Sequence, residues 1–209
     1  MRTRIALPGA AQNRFGAETS QNTEPEKQNP AVEKSPGVFV SVVVPTFDGA
    51  ENPADDERRL RLVMEGSWRQ NYPNFEVVVV NDGGGESAGK ICNEYSHRLD
   101  LRYEYFAPRK TRDDPGRTSA ARNYGIRHSR GELLVFLDAD CIADEGMVAA
   151  HAAKFAPHHV TFGFRRHLSP ERAREITIPL CQEFLEEHST LDRRLKHGLM
   201  TQVSNEYLW

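Results

Sequence analysis

Long apolar runs are what this sequence lacks first. No stretch of its 209 residues approaches the ~20 needed to span a bilayer. Its opening Met-Arg-Thr-Arg is not followed by the ~7–15 apolar residues of a secretory signal. A cytoplasmic chain with no membrane segment of its own is expected, any membrane role coming through a partner. Cysteine is scarce too: Cys92, Cys141 and Cys181 are odd in number and show no Cys-x-x-Cys spacing. That argues against a disulfide framework or a zinc site and reads as reduced thiols. Charge of one sign is not in excess either. A formal net charge of −3 gives no reason to expect a nucleic-acid groove. Hydrophobic residues make up 38%, and much of the shortfall lies in the first 37 residues, so the remainder can bury an ordinary core.

Residues 1–37 carry Gln-Asn-Thr-Glu-Pro-Glu-Lys-Gln-Asn-Pro and Glu-Lys-Ser-Pro-Gly. Sequence so polar and Pro-punctuated cannot offset its ordering entropy, and reads as a disordered tail. From Val38 the texture changes. Phe39–Val44, closed by Pro45, then Phe75–Val80 and Leu133–Leu137 are short apolar, mostly β-branched runs, the pattern of strands buried on both faces. Weaker strands are expected over Leu101–Phe106 and near Val160–Phe164. A helix over 55–70 places Leu60, Val63, Met64, Ser67 and Trp68 on one stripe. Further helices are expected over 86–97, 118–129, 144–155 and 170–188, the last kinked at Pro179. Strands alternating with helices give an α/β fold, a Rossmann-like and mostly parallel sheet with helices on both faces.

In such a sheet ligands bind beyond the carboxyl ends of the strands. Three strands end in useful chemistry: Pro45-Thr46-Phe47-Asp48, Asn81-Asp82-Gly83-Gly84-Gly85 and Asp138-Ala139-Asp140. In an extended segment Asp138 and Asp140, two apart, point the same way. Paired carboxylates repel unless a cation lies between them, and hard oxygen ligands suit Mg2+ or Mn2+. An isolated Asp-x-Asp is commonly a solvated turn. Straight after a buried strand, and level with two other polar strand ends, it reads as a metal site with positions left for substrate phosphates. Asp82, before three glycines, could accept an N–H from a nucleobase or simply form a turn. Arg117, opening a helix, is an anion-site candidate. Arg122 could serve a ligand or pair with a carboxylate such as Asp138. His158 and His159 read as a bland strand end, and Arg165-Arg166-His167 as solvated surface that could alternatively face an acceptor or phosphates.

Ser-Val-Val-Val-Pro-Thr-Phe-Asp, Ser67-Trp68-Arg69-Gln70, Val-Val-Val-Asn-Asp-Gly-Gly, Ala121-Arg122-Asn123-Tyr124-Gly125 with Gly131-Glu132, and Phe-Leu-Asp-Ala-Asp stand in this order between Val38 and Asp144. Together they resemble the inverting family 2 glycosyltransferases. The resemblance implies a GT-A fold, a nucleotide-diphosphate sugar donor (most often UDP-linked), a saccharide or glycoconjugate acceptor, and Mn2+ or Mg2+. It implies donor-binding roles for Pro45, Thr46, Phe47, Asp82, Arg117, Asn123, Asp138 and Ala139, with Asp140 and Asp138 at the metal. Asp48 and Asn81 depart from the family's usual Asn and Asp, and the segment 49–56 is longer than its usual turn.

Residues 38–165 are accordingly expected to form a nucleotide-sugar-binding core, and 166–209 a helical segment that begins an incomplete acceptor region. Inverting transfer needs a general base. The family carries it in a Glu-Asp motif, and none follows Asp140. The alternative is a truncated or non-catalytic nucleotide-sugar-binding module whose missing half a partner subunit supplies. A nucleotidyltransferase would place a glycine-rich basic loop after the first strand, and a nicotinamide dehydrogenase a Gly-x-Gly-x-x-Gly; Pro45-Thr46-Phe47-Asp48 is neither.

Overall fold

In the computed structural model the described residues are 37–47, 53–106 and 117–191. All of the tail expected over 1–37 except Gly37, Asp48 with residues 49–52 of the long segment after it, residues 107–116 and the C-terminal stretch 192–209 lie outside them. Strand β1 (Val40–Thr46) is followed by α1 (Pro53–Trp68), β2 (Phe75–Asn81), α2 (Ser87–Tyr95), β3 (Leu101–Tyr105), α3 (Arg117–His128) and β4 (Leu133–Phe136). Beyond these come α4 (Met147–Ala153), β5 (Arg166–His167), α5 (Pro170–Glu175), α6 (Gln182–His188) and β6 (Thr190–Leu191). The first four strands make one parallel sheet in the order β3-β2-β1-β4. The α/β architecture expected from the strand–helix alternation is therefore what the chain adopts.

Alternation along β1 and β2 builds two cores from one run of valines. Val42, Val44, Val77 and Val79 face Leu60, Val63 and Met64 of α1 and Ile91 and Cys92 of α2. Val43, Val78 and Val80 face Ala121 of α3. Every one of these residues is almost wholly removed from water. At the N-terminal end of the α3 face the pattern turns polar. Buried Glu76 accepts hydrogen bonds from Ser41 Oγ (2.7 Å), from the backbone N–H of Arg130 (2.7 Å) and from Arg130 Nε (2.7 Å). Burial alone would raise the Glu76 pKa, but these bonds outweigh it and hold the carboxyl below its ordinary value.

Several local expectations are corrected. Trp68 is not on the buried stripe: it is 46% exposed and lies under the Arg98 guanidinium, 4.9 Å from the ring centroid. It closes α1, where the chain already leaves the sheet. No strand forms over 160–164; the short pair β5–β6 is antiparallel and begins at Arg166. The helix expected over 170–188 is two helices. Pro179 lacks an N–H and disfavours helical geometry at the residue before it, so the segment around Ile178 is non-helical rather than kinked. Of Ile176, Leu180 and Phe184, which its four-residue spacing would put on one stripe, only Leu180 is buried. β4 is also less buried than its composition suggests, with Phe136 47% exposed at the sheet's edge among the described residues.

Candidate functional site

Because β1, β2 and β4 run parallel and in register, their carboxyl ends open on one edge. Thr46 lies opposite Asn81, and Leu137 N donates to Val43 O (3.1 Å), which brings Asp138 up beside them. Pro45 and Phe47 flank Thr46, whose carbonyl accepts the backbone N–H of Asp82 at 2.8 Å. The three polar ends read from the sequence thus converge.

The Asn81–Gly85 turn explains a departure from the family pattern. Buried Asn81 donates from its amide to Gly85 O and Tyr103 Oη, both at 3.0 Å, and accepts from Gly84 N at 2.9 Å. A carboxylate could not make the two donations. Gly83 adopts φ 88°, a left-handed backbone conformation that glycine reaches at no steric cost. This turn presents Asp82, 3% exposed, to Arg117: Nε donates to Oδ1 at 2.9 Å and Nη2 lies 2.7 Å from the same oxygen. The Arg117 guanidinium also stacks over Phe106 at 4.8 Å.

Helix α3 delivers the second arginine. Ala121 and Gly125 form a small-residue face that lets the helix settle on Val43 and Val80. Arg122 then reaches Asp138, with Nη2 to Oδ1 at 2.6 Å. The pairing with a carboxylate left open by the sequence is the one formed. Asn123, next along, is exposed.

Asp138 and Asp140 do come together, but not through strand alternation. The chain turns at this point, with Cys141 N donating to Asp138 O at 3.0 Å. Folding back over Ala139 brings one ligand atom each from Asp138, Asp140 and Cys141 within 4.8 Å of one another. Cys141 Sγ sits 3.5 Å from Asp140 Oδ1. Burial first, and then the Asp140 charge, pushes its thiol up to about 11. Cys141 joins the two carboxylates because the chain turns here, where an extended segment would have pointed it to the other face. Two carboxylates on an exposed turn fit a small oxygen-seeking divalent cation, with the protonated thiol an onlooker.

The loop after this turn is fixed by the end of α1. Gln70 donates to Asp144 O at 2.6 Å and accepts from Val148 N at 2.9 Å. Arg69 pairs with Glu145 and donates to Leu180 O at 2.9 Å. Gly66 has only 3.0 Å between a would-be Cβ and Ala143 N. The Ser-Trp-Arg-Gln segment, distant in sequence from Asp138, is thus the scaffold of the acidic turn. The remaining expectations are local: His159 Nδ1 meets Pro157 O at 2.9 Å, Arg166 binds Ser189 and Glu186 O, and His158 lies on the surface.

Residues 41–203 match the family model described as "Glycosyl transferase family 2". Glycosyltransferase GlyA of Streptococcus pneumoniae serotype 4 is 35% identical over 101 residues, 48% of this chain and 13% of that protein. Glycosyltransferase AglE of Haloferax volcanii is 33% identical over 108 residues, 49% of this chain and 31% of that protein. The chain therefore spans less than a third of either relative. S. aureus TarS 1-349, solved in complex with UDP-GlcNAc, is 26% identical over 55% of this chain and 30% of its own, at a TM-score of 0.46. So partial a likeness adds no weight to a fold already evident in the sheet. Among the described residues no helix is long and apolar enough to cross a membrane. The family model covers most of the sequence and both arms of the site, and the chain belongs to glycosyl transferase family 2.

Proposed function

We propose that this chain binds a nucleoside-diphosphate sugar, UDP-linked by the family resemblance, at the carboxyl edge of its sheet and transfers the sugar to a saccharide or glycoconjugate acceptor. The observation that carries this reading is that the acidic turn Asp138–Asp140 and the Arg117–Asp82 pair stand at the carboxyl ends of the two strands that flank β1. Pro45, Thr46 and Phe47 lie between the two and would wall the nucleoside. Asp82, oriented by Arg117, would read the base, and Ala139 and Asn123 would border the ribose and sugar. Asp140 and Asp138 would hold Mn2+ or Mg2+, which supplies Lewis acidity to a departing diphosphate. Arg122 neutralises one Asp138 oxygen and fixes the carboxylate's orientation. In the cytoplasm, the location proposed with this reading, the three free cysteines stay reduced.

The test is a donor panel: UDP-, GDP-, dTDP- and ADP-sugars incubated with the chain and Mn2+ or Mg2+, with release of nucleoside diphosphate measured. Metal-dependent release from one nucleotide class, abolished in Asp140→Ala, is the expected result. Binding of a donor without release or transfer would favour the non-catalytic module instead. No binding of any donor by folded protein would refute the reading.

A further inference from the structure

We propose that Phe106 is a positioning residue for nucleobase recognition, its ring holding the Arg117 guanidinium in the attitude from which it orients Asp82. This role rests on the nucleotide-sugar reading above and lies one layer behind the residues that would touch the donor. Phe106 stands just past the end of β3. Its backbone N–H donates to Asn81 O at 2.9 Å, which sets it beside the turn that presents Asp82.

Helix α3 supplies the other side of the arrangement. Arg117, Ala121, Tyr124 and His128 follow one another at helical spacing and form one stripe. Ala121 is small and fully buried, so the stripe is low between Arg117 and Tyr124, and Phe106 packs there against the same core cluster. Its ring centroid lies 4.8 Å from Arg117 Cζ and 5.0 Å from the Tyr124 centroid, the two rings tilted by 51°. Tyr124 stacks in turn on His128, with centroids 4.1 Å apart and planes 25° apart. The Phe106 ring is thus braced by α3 and bears on the guanidinium. Arg117 needs that support: Nε and Nη2 both reach a single oxygen, Asp82 Oδ1, and a long, flexible side chain could swing about that point. A π face against the guanidinium opposes the swing and leaves the in-plane N–H groups for the carboxylate. Leucine at 106 would keep most of the apolar volume and lose that face.

Calorimetry of Mn2+-UDP and Mn2+-pyrophosphate against the wild type, Phe106→Leu, Phe106→Tyr, Arg117→Ala and the Phe106→Leu/Arg117→Ala double variant tests this. Phe106→Leu should weaken UDP at least about threefold and leave pyrophosphate unchanged. Phe106→Tyr, which keeps the π face, should bind UDP as the wild type does. With Arg117 already removed, Phe106→Leu should cost nothing further. A smaller UDP loss in Phe106→Leu, or an equal loss of pyrophosphate, would overturn the role while leaving the site reading intact. So would a loss that persists undiminished in the Arg117→Ala background, since Phe106 would then act other than through the arginine. A folded wild type that does not bind Mn2+-UDP would remove the nucleotide-sugar reading, and this role with it.

Discussion

Gly125→Ala is the substitution on which local propensity and packing disagree most clearly. Gly125 lies in the last turn of α3, where alanine is favoured over glycine by about 1 kcal/mol on helix propensity alone. Its Cα, however, rests on the sheet. A Cβ there would stand 2.5 Å from Val43 Cγ1 and 3.0 Å from Val80 Cγ2, against ~3.5–4.0 Å for ordinary carbon contacts. Both valines are fully buried in adjoining central strands, and branched side chains are stiff at χ1 in a close-packed interior. The helix must therefore lift by about 1 Å or the strands must part, an overpacking cost of about 2–3 kcal/mol. The net expectation is a loss of about 1–2 kcal/mol once propensity is credited. Urea unfolding followed by circular dichroism measures it, with the midpoint falling and the slope unchanged. Val43→Ala makes room beneath the helix, so the double variant should show favourable coupling of about 1 kcal/mol or more. The same lift would draw Arg122 away from Asp138. A Gly125→Ala protein more stable than wild type, or additive with Val43→Ala, would refute this account of how α3 is seated.

Glu76→Gln should cost about 2–3 kcal/mol at pH 7, since it weakens hydrogen bonds that a buried carboxylate accepts. Because the folded pKa of Glu76 is depressed, its contribution is fully present above the unfolded value near ~4.3 and is lost as pH falls through the folded one. Wild type and variant stabilities should therefore converge below about pH 4, as followed by denaturation across pH. Gly131→Ala places a Cβ 2.5 Å from Ser41 N and 2.8 Å from Phe39 O, backbone atoms that cannot rotate away. A loss of about 2–3 kcal/mol is expected in thermal unfolding. Cys92, buried and pushed up to about 12 by desolvation, should resist iodoacetamide in the native protein and label only on unfolding. Labelling at the rate of exposed Cys181 would contradict its placement between α2 and the sheet.

The sheet was legible because its strands are buried on both faces and so appear as unbroken valine runs, and because each ends in residues unlike those inside it. Beyond Asp140 the helix expected over 144–155 forms as α4, but the elements after it were not legible. Val160–Phe164 has strand composition, but Phe162 and Phe164 are exposed and no backbone partner pairs with the segment among the described residues. Strand propensity expresses packing against a neighbour, which composition cannot supply. Pro179 separates two helices because it has no N–H to continue the ladder and disfavours helical backbone at Ile178. At the site, the carboxylates were identifiable by type and position, and the Asp138–Asp140 pairing by spacing, though for the wrong reason: a turn and not a strand brings them together. Gln70's grip on Asp144 and Val148 joins segments far apart in sequence and had no local signal.

The most direct test of the central claim is calorimetric titration of the wild-type chain with UDP, with and without Mn2+, alongside Asp138→Ala and Asp140→Ala. The account expects Mn2+-dependent binding in the wild type that falls beyond detection in Asp140→Ala and at least about tenfold in Asp138→Ala. Binding that is independent of metal, or that survives both substitutions in folded protein, would contradict the assignment of the acidic turn to a metal-bound diphosphate.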